Sequence, residues 1–128
     1  MKKFLIVDDM QGWRNFNTAV VEELFEGEEI SIDTAESAQE AYNKVVENHN
    51  DPYYAVLTDL QMEEDYAPKL AGEWLVEQIK TFPKFYNTKI IMISATYNIR
   101  HIADALGVDC IPKSAARVSI EPYIQFLK

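Results

Sequence analysis

Apolar and polar residues come in short blocks along this chain. Four apolar runs, KFLIV (3–7), YAVLTD (54–59), KIIMIS (89–94) and VDCI (108–111), read as strands. The first and third are continuous rather than alternating, as expected of strands covered on both faces in a parallel sheet. A fifth, EISID (29–33), alternates and reads as an edge strand.

The intervening segments have helical spacing. In residues 12–26, Trp13, Phe16, Val20 and Leu24 fall on one stripe. Residues 36–48 place Ala38, Ala41, Val45 and Val46 on one face and stop at the turn signal His49-Asn50-Asp51-Pro52. Residues 71–82 carry Trp74, Leu75, Ile79 and Phe82 and are stopped by Pro83. Residues 98–106 end at Gly107, a residue suited to the left-handed helix terminus. A last helix over 116–127 offers Val118, Tyr123, Ile124 and Leu127 to a sheet, with Pro122 marking either a late first turn or a kink. Strands alternating with helices imply a parallel sheet, right-handed crossovers and helices on both faces. The expected fold is a doubly wound three-layer α/β domain, a five-stranded parallel sheet in the order 2-1-3-4-5 with five helices. The expected organisation is a single domain over residues 1–128 with no effector domain attached.

Composition narrows the partners. With 21 Asp and Glu against 12 Lys and Arg, the net charge is −9. Such a surface repels nucleic acid and anionic lipid and favours a cation or a basic partner. Cys110 is the single cysteine, so no internal disulfide forms, which fits a reducing compartment. The apolar run after Lys2-Lys3 is too short for a signal peptide, and no stretch approaches the ~20 residues of a membrane span. The expected location is cytoplasmic.

The run FLIV stops at two adjacent like charges, Asp8 and Asp9. Either the pair caps a helix, or it is half of a site completed elsewhere. In a doubly wound sheet, functional groups gather at the carboxyl ends of the strands, near the switch point. Those ends carry Asp8-Asp9, Asp59 and Ser94-Ala95, with Lys113 just after the last strand. Two like charges 4 Å apart repel by about 1 kcal/mol in water and about 4 kcal/mol at an effective dielectric of 20. A hard divalent cation relieves this, and Mg²⁺ (or Mn²⁺) held by one or two carboxylates keeps positions free for a phosphoryl group. Asp59 is then a candidate nucleophile forming an acyl phosphate. Lys113 and Ser94 are candidate partners of the transferring oxygens, and the small Ala95 leaves room for them.

Asp8-Asp9 closing FLIVDD, Asp59 in VLTDLQM, Ser94-Ala95 in IMISA and Lys113 in DCIPK together resemble the receiver domain of two-component response regulators, over essentially the whole chain. The resemblance implies a flavodoxin-like fold. It makes Asp59 the acceptor of a phosphoryl group from a phosphohistidine on a sensor histidine kinase or histidine phosphotransfer protein. It makes Asp9 a direct metal ligand, Asp8 a ligand acting mainly through water, and the Gln61 backbone carbonyl the third protein ligand. Ser94 and Lys113 would take hold of the phosphoryl group. A phosphoacceptor of this kind assists its own phosphorylation and dephosphorylation and is not an enzyme in the usual sense. It acts through protein partners as a monomer or weak dimer, binding neither nucleic acid nor membrane.

Four features depart from the family's pattern. Glu63 stands where a proline is usual, and EEDYAPKLA (63–71) is a long acidic loop before Gly72. Cys110 replaces the aromatic residue three before the lysine, with Tyr97 as a substitute candidate. Pro112 precedes Lys113, and Ser114 follows it. The segment from Ser94 to Lys113 is short, implying an abbreviated fourth helix and a remodelled output face. These departures motivate an alternative: a degenerate receiver that docks partners without phosphorylation. A haloacid dehalogenase-type phosphatase fits less well, because Asp-Asp-Met is not its Asp-x-Asp loop. FMN binding fits poorly too, since DDMQGW lacks a glycine- and hydroxyl-rich phosphate loop. Trp13 and Trp74 read as packing, and His49 and His101 as surface residues.

Overall fold

A computed structural model describes residues 1–62 and 70–128. The loop expected to border the pocket therefore lies outside the described residues, apart from Leu70 and Ala71. Strands β1 (Lys2–Val7), β2 (Ile30–Ala35), β3 (Ala55–Thr58), β4 (Lys89–Ser94) and β5 (Asp109–Pro112) alternate with helices α1 (Gln11–Leu24), α2 (Ala38–Glu47), α3 (Ala71–Ile79), α4 (Ile99–Leu106), α5 (Lys113–Ala116) and α6 (Glu121–Leu127). A 3₁₀ turn at Pro83–Phe85 leads into β4. All strand pairs are parallel, in the order β2-β1-β3-β4-β5, as the sequence pattern predicts.

Strand parity divides the core, since successive side chains point to opposite faces. Leu5, Val7, Val56 and Met92 pack beneath α2, α3 and α4, with Ala41, Val45, Leu75, Ile79 and Ala103. Phe4, Ile6, Leu57, Ile91, Ile93 and Ile111 pack against α1, α5 and α6, with Trp13, Val21, Tyr123 and Leu127. Local signals set the helix ends. The Ser37 hydroxyl accepts from the Glu40 N–H (3.0 Å) at the start of α2, and Gly107 takes φ +72° after α4.

Three expectations are corrected. The buried stripe of α1 is Trp13, Asn17 and Val21, while Phe16 is exposed and Val20 and Leu24 are half-buried. Asn17 displaces the more apolar Phe16 because its Oδ1 accepts from the Tyr123 hydroxyl (2.6 Å), which satisfies the buried amide oxygen. The last helical segment is two short helices rather than one, giving six α-helices among the described residues, and Pro122 sits in the first turn of α6. The break turns Val118 and Ile124 outward, leaving Tyr123 and Leu127 inside. Val46 of α2 is likewise exposed. Among the described residues no helix is long and apolar enough to cross a membrane.

Candidate functional site

Sheet register brings the distant acids together. Val7 pairs with Thr58, and the Asp59 N–H donates to the Val7 carbonyl (2.9 Å). The next residue of β1 is Asp8, so Asp8 and Asp59 leave neighbouring strands side by side. Across the rim, Ser94 pairs with Pro112, which delivers Lys113 one step beyond. Adjacent strands are about 4.8 Å apart, so Lys113 starts roughly two strand spacings from Asp59, within reach of a long side chain.

Lys113 points into the sheet rim, with its Nζ 3.0 Å from Asp59 Oδ2 and 3.0 Å from Asp8 Oδ2. Pro112 on its amino side does not turn it away. All three residues are buried. Asp59 Oδ1 accepts from the Leu60 N–H (2.7 Å) and, more weakly, from that of Gln61 (3.4 Å). Asp8 Oδ1 accepts from the Met10 N–H (2.9 Å). Burial pushes the Asp8 carboxyl above the ordinary carboxylate range, and the Asp59 charge adds to the rise; the Met10 N–H and Lys113 oppose it.

Carboxylate oxygens of Asp8, Asp9 and Asp59 lie within 4.8 Å of one another. Opposite ligands of an octahedral Mg²⁺ stand about 4.2 Å apart at its usual Mg–O distance of about 2.1 Å. Adjacent ligands stand about 3.0 Å apart, so the three side chains must draw inward to hold a hard divalent ion, and the donor set is all oxygen. Three carboxylates and one ammonium leave a formal charge near −2, which such an ion balances. The cluster opens into a cleft of about 330 Å³ whose rim includes Gln61, Met62, Ser94, Ala95 and Thr96. Ser94 Oγ is 3.0 Å from the Thr96 hydroxyl.

Every side chain singled out from the sequence thus lies at this rim: Asp8, Asp9, Asp59, Ser94 and Lys113. Three contributions had no clear sequence signal. Arg14 Nη1 donates to the Asp8 carbonyl (2.7 Å). The Lys113 ammonium sits 4.9 Å from the centre of the Trp13 ring, and the Arg117 guanidinium sits 5.4 Å from it. Trp13 already falls on the stripe read over residues 12–26; its contact with the two cations is what the sequence pattern does not show. Cys110, in place of the usual aromatic, is a buried thiol whose pKa burial raises, the state of a packing residue rather than a nucleophile.

Among solved structures the chain is similar to the chemotaxis response regulator CheY4 of Vibrio cholerae, at 19% identity and a TM-score of 0.75, with 99% of this chain and 96% of that one covered. It is similar to the signal receiver domain of a DNA-binding response regulator from Colwellia psychrerythraea 34H, at 23% identity and TM-score 0.74, covering 98% and 96%. It is also similar to a response regulator protein from Burkholderia pseudomallei with a phosphorylated aspartic acid, calcium ion and citrate, at 16% identity and TM-score 0.70, covering 100% and 67%. At such identities the likeness is one of fold. No curated protein matches the chain. The family model described as the response regulator receiver domain matches residues 4–125. With that match running nearly end to end, and with the fold placing three aspartates and a lysine at one rim, this chain belongs to the response regulator receiver domain family.

Proposed function

We propose that Asp59 accepts a phosphoryl group from a phosphohistidine on a sensor histidine kinase or histidine phosphotransfer protein, in a reaction that requires Mg²⁺ or Mn²⁺. The observation that carries this reading is Lys113 Nζ lying 3.0 Å from both Asp59 Oδ2 and Asp8 Oδ2 beside a third carboxylate. A docking-only module has no need to bury this charge. The phosphorylated aspartate and calcium ion of the Burkholderia pseudomallei relative accord with it.

Asp8, Asp9 and the Gln61 carbonyl would hold the metal, with Asp59 completing the set. When bound, the metal neutralises charge on the transferring phosphoryl oxygens. An Asp59 oxygen attacks phosphorus, the phosphorus–nitrogen bond to the donor imidazole breaks, and the electron pair stays on that nitrogen. Forming the mixed anhydride removes the charge of the Asp59 carboxylate, so Lys113 is free to turn its ammonium to a phosphoryl oxygen. Ser94, at the mouth of the cleft, donates its hydroxyl to another. Water attack on the acyl phosphate returns the carboxylate, so the domain acts as a phosphoacceptor that assists its own cycle. The signal passes to a protein partner in the cytoplasm.

Intact mass after incubation with acetyl phosphate and Mg²⁺ tests this. The expected result is a gain of about 80 Da, one phosphoryl group, in wild type and none in Asp59→Asn or with EDTA. No gain in wild type, or an equal gain in Asp59→Asn, overturns the reading.

A further inference from the structure

The chain carries 21 acidic residues, yet residues 78–103 contain no Asp or Glu while holding Lys80, Lys84, Lys89 and Arg100. Removing those four cations from the total of 12 leaves 8 against 21 acids, a charge of −13 on the remainder. The positive charge is therefore segregated.

Part of this stretch folds into a shaped surface. Between the end of α3 and the start of β4, Phe82 and Pro83 line two clefts. One, of about 350 Å³, is completed by Lys80, Phe85, Tyr86 and Ile90 among others. The other, of about 260 Å³, is completed by His49, Asn50 and Lys84. Tyr86 is 83% exposed. Lys84 Nζ donates to Asn50 Oδ1 (3.0 Å). No carboxylate among the described residues pairs with Lys80 or Lys84. Unpaired cations rimming an aromatic groove, on a protein otherwise rich in acids, complement an anionic and apolar ligand.

We propose that this surface docks an acidic segment of a partner protein bearing a large apolar side chain. That side chain enters the cleft beside Phe82 and Pro83, and its flanking Asp or Glu residues pair with Lys80 and Lys84. The apolar anchor supplies affinity, while the rim charges supply selectivity and association rate. The patch meets the amino end of β4 and the phosphorylation cleft its carboxyl end, about 17 Å apart at roughly 3.3 Å per residue. A partner held here leaves Asp59 accessible, and docking does not depend on phosphorylation.

Randomised peptides displayed on phage are selected on the full chain. The winners, labelled with fluorescein, are then measured by anisotropy against wild type, K80E/K84E, F82A and D59N. The expected winners combine Asp or Glu with Phe, Trp or Leu. Their affinity falls about tenfold or more in K80E/K84E and with added salt, as for charge-steered contacts, and is unchanged in D59N. Circular dichroism confirms folding, and K80E/K84E, altering two exposed side chains, keeps the test decisive if F82A is unstable. Winners without acidic residues, or binding untouched by K80E/K84E, overturn the proposal. So does equal binding of a labelled single-stranded DNA, which indicates a general polyanion site. Self-association that K80E/K84E abolishes, with no peptide selected, shows the surface to be a contact between copies and also overturns it.

Discussion

Gly72→Ala sets helix propensity against packing, with opposite signs. Gly72 is the second residue of α3, where alanine is intrinsically better by about 1 kcal/mol. A Cβ there, however, would lie 2.2 Å from the Asp59 carbonyl oxygen and 2.7 Å from Leu60 Cα. Ordinary contact begins at 3.4 Å, and both clashing atoms are backbone, so no side chain rotation relieves them. Helix α3 must move away from the β3 end by about 1 Å in an interior packed to crystal density. Overpacking of this kind costs about 1–3 kcal/mol, and backbone clashes belong near the top of that range. Weakening the bond from the Gly72 N–H to the Leu60 carbonyl (2.9 Å) adds about 1 kcal/mol. After crediting the helix preference, the net loss is about 2–3 kcal/mol. With a urea m-value of about 2 kcal/mol/M, the midpoint drops by about 1 M. Urea denaturation followed by tryptophan fluorescence reads it, and acyl phosphate formation slows because the displaced backbone carries Asp59. A midpoint unchanged or raised would refute the packing account.

Three further outcomes are expected. Lys113→Met strands the Asp8 and Asp59 carboxylates, so urea midpoints in EDTA should show a loss of about 3–5 kcal/mol at pH 7, smaller at pH 5 where a carboxylate can take up a proton. Burial raises the Asp8 pKa above its unfolded value of 3.8, so the folded state binds the proton more tightly and stability falls as pH rises through the raised pKa. Asp8→Asn should therefore gain on wild type as pH rises above the unfolded value of 3.8 in urea melts with EDTA, and a constant difference would contradict this. Tyr123→Phe leaves the buried Asn17 oxygen without its donor, costing about 1–3 kcal/mol in thermal or urea melts, and adding Asn17→Leu should recover much of it.

The legible part of this protein is what a parallel sheet makes automatic. Continuous apolar runs ending in Asp8-Asp9, Asp59 and Ser94 must discharge those residues at one rim, because all the strands point the same way. The gathering of Asp8, Asp9, Asp59 and Ser94 at one rim followed from the strand order alone. Their identification as a receiver site drew on the chemistry of crowded carboxylates and on five matched positions, which no single dipeptide could have carried.

What the sequence left open depended on contacts between elements far apart along the chain. The face α1 buries was read as Trp13, Phe16, Val20 and Leu24; Trp13 is buried as read, but the sheet takes Asn17 in place of Phe16, and its polarity is tolerated because Tyr123, 106 residues later, donates to it. Gly72 was read only as an early residue of the helix over 71–82 that follows the acidic loop, yet it is the point where α3 lies directly on the Asp59 backbone. Lys113 could have faced solvent after Pro112. Its inward aim is decided by two buried carboxylates at 3.0 Å and the face of Trp13. Periodicity and strand polarity are local properties that a chain carries with it. The phase of a helix, the closeness of two backbones and the direction of a long cation are settled only when the other surface is present.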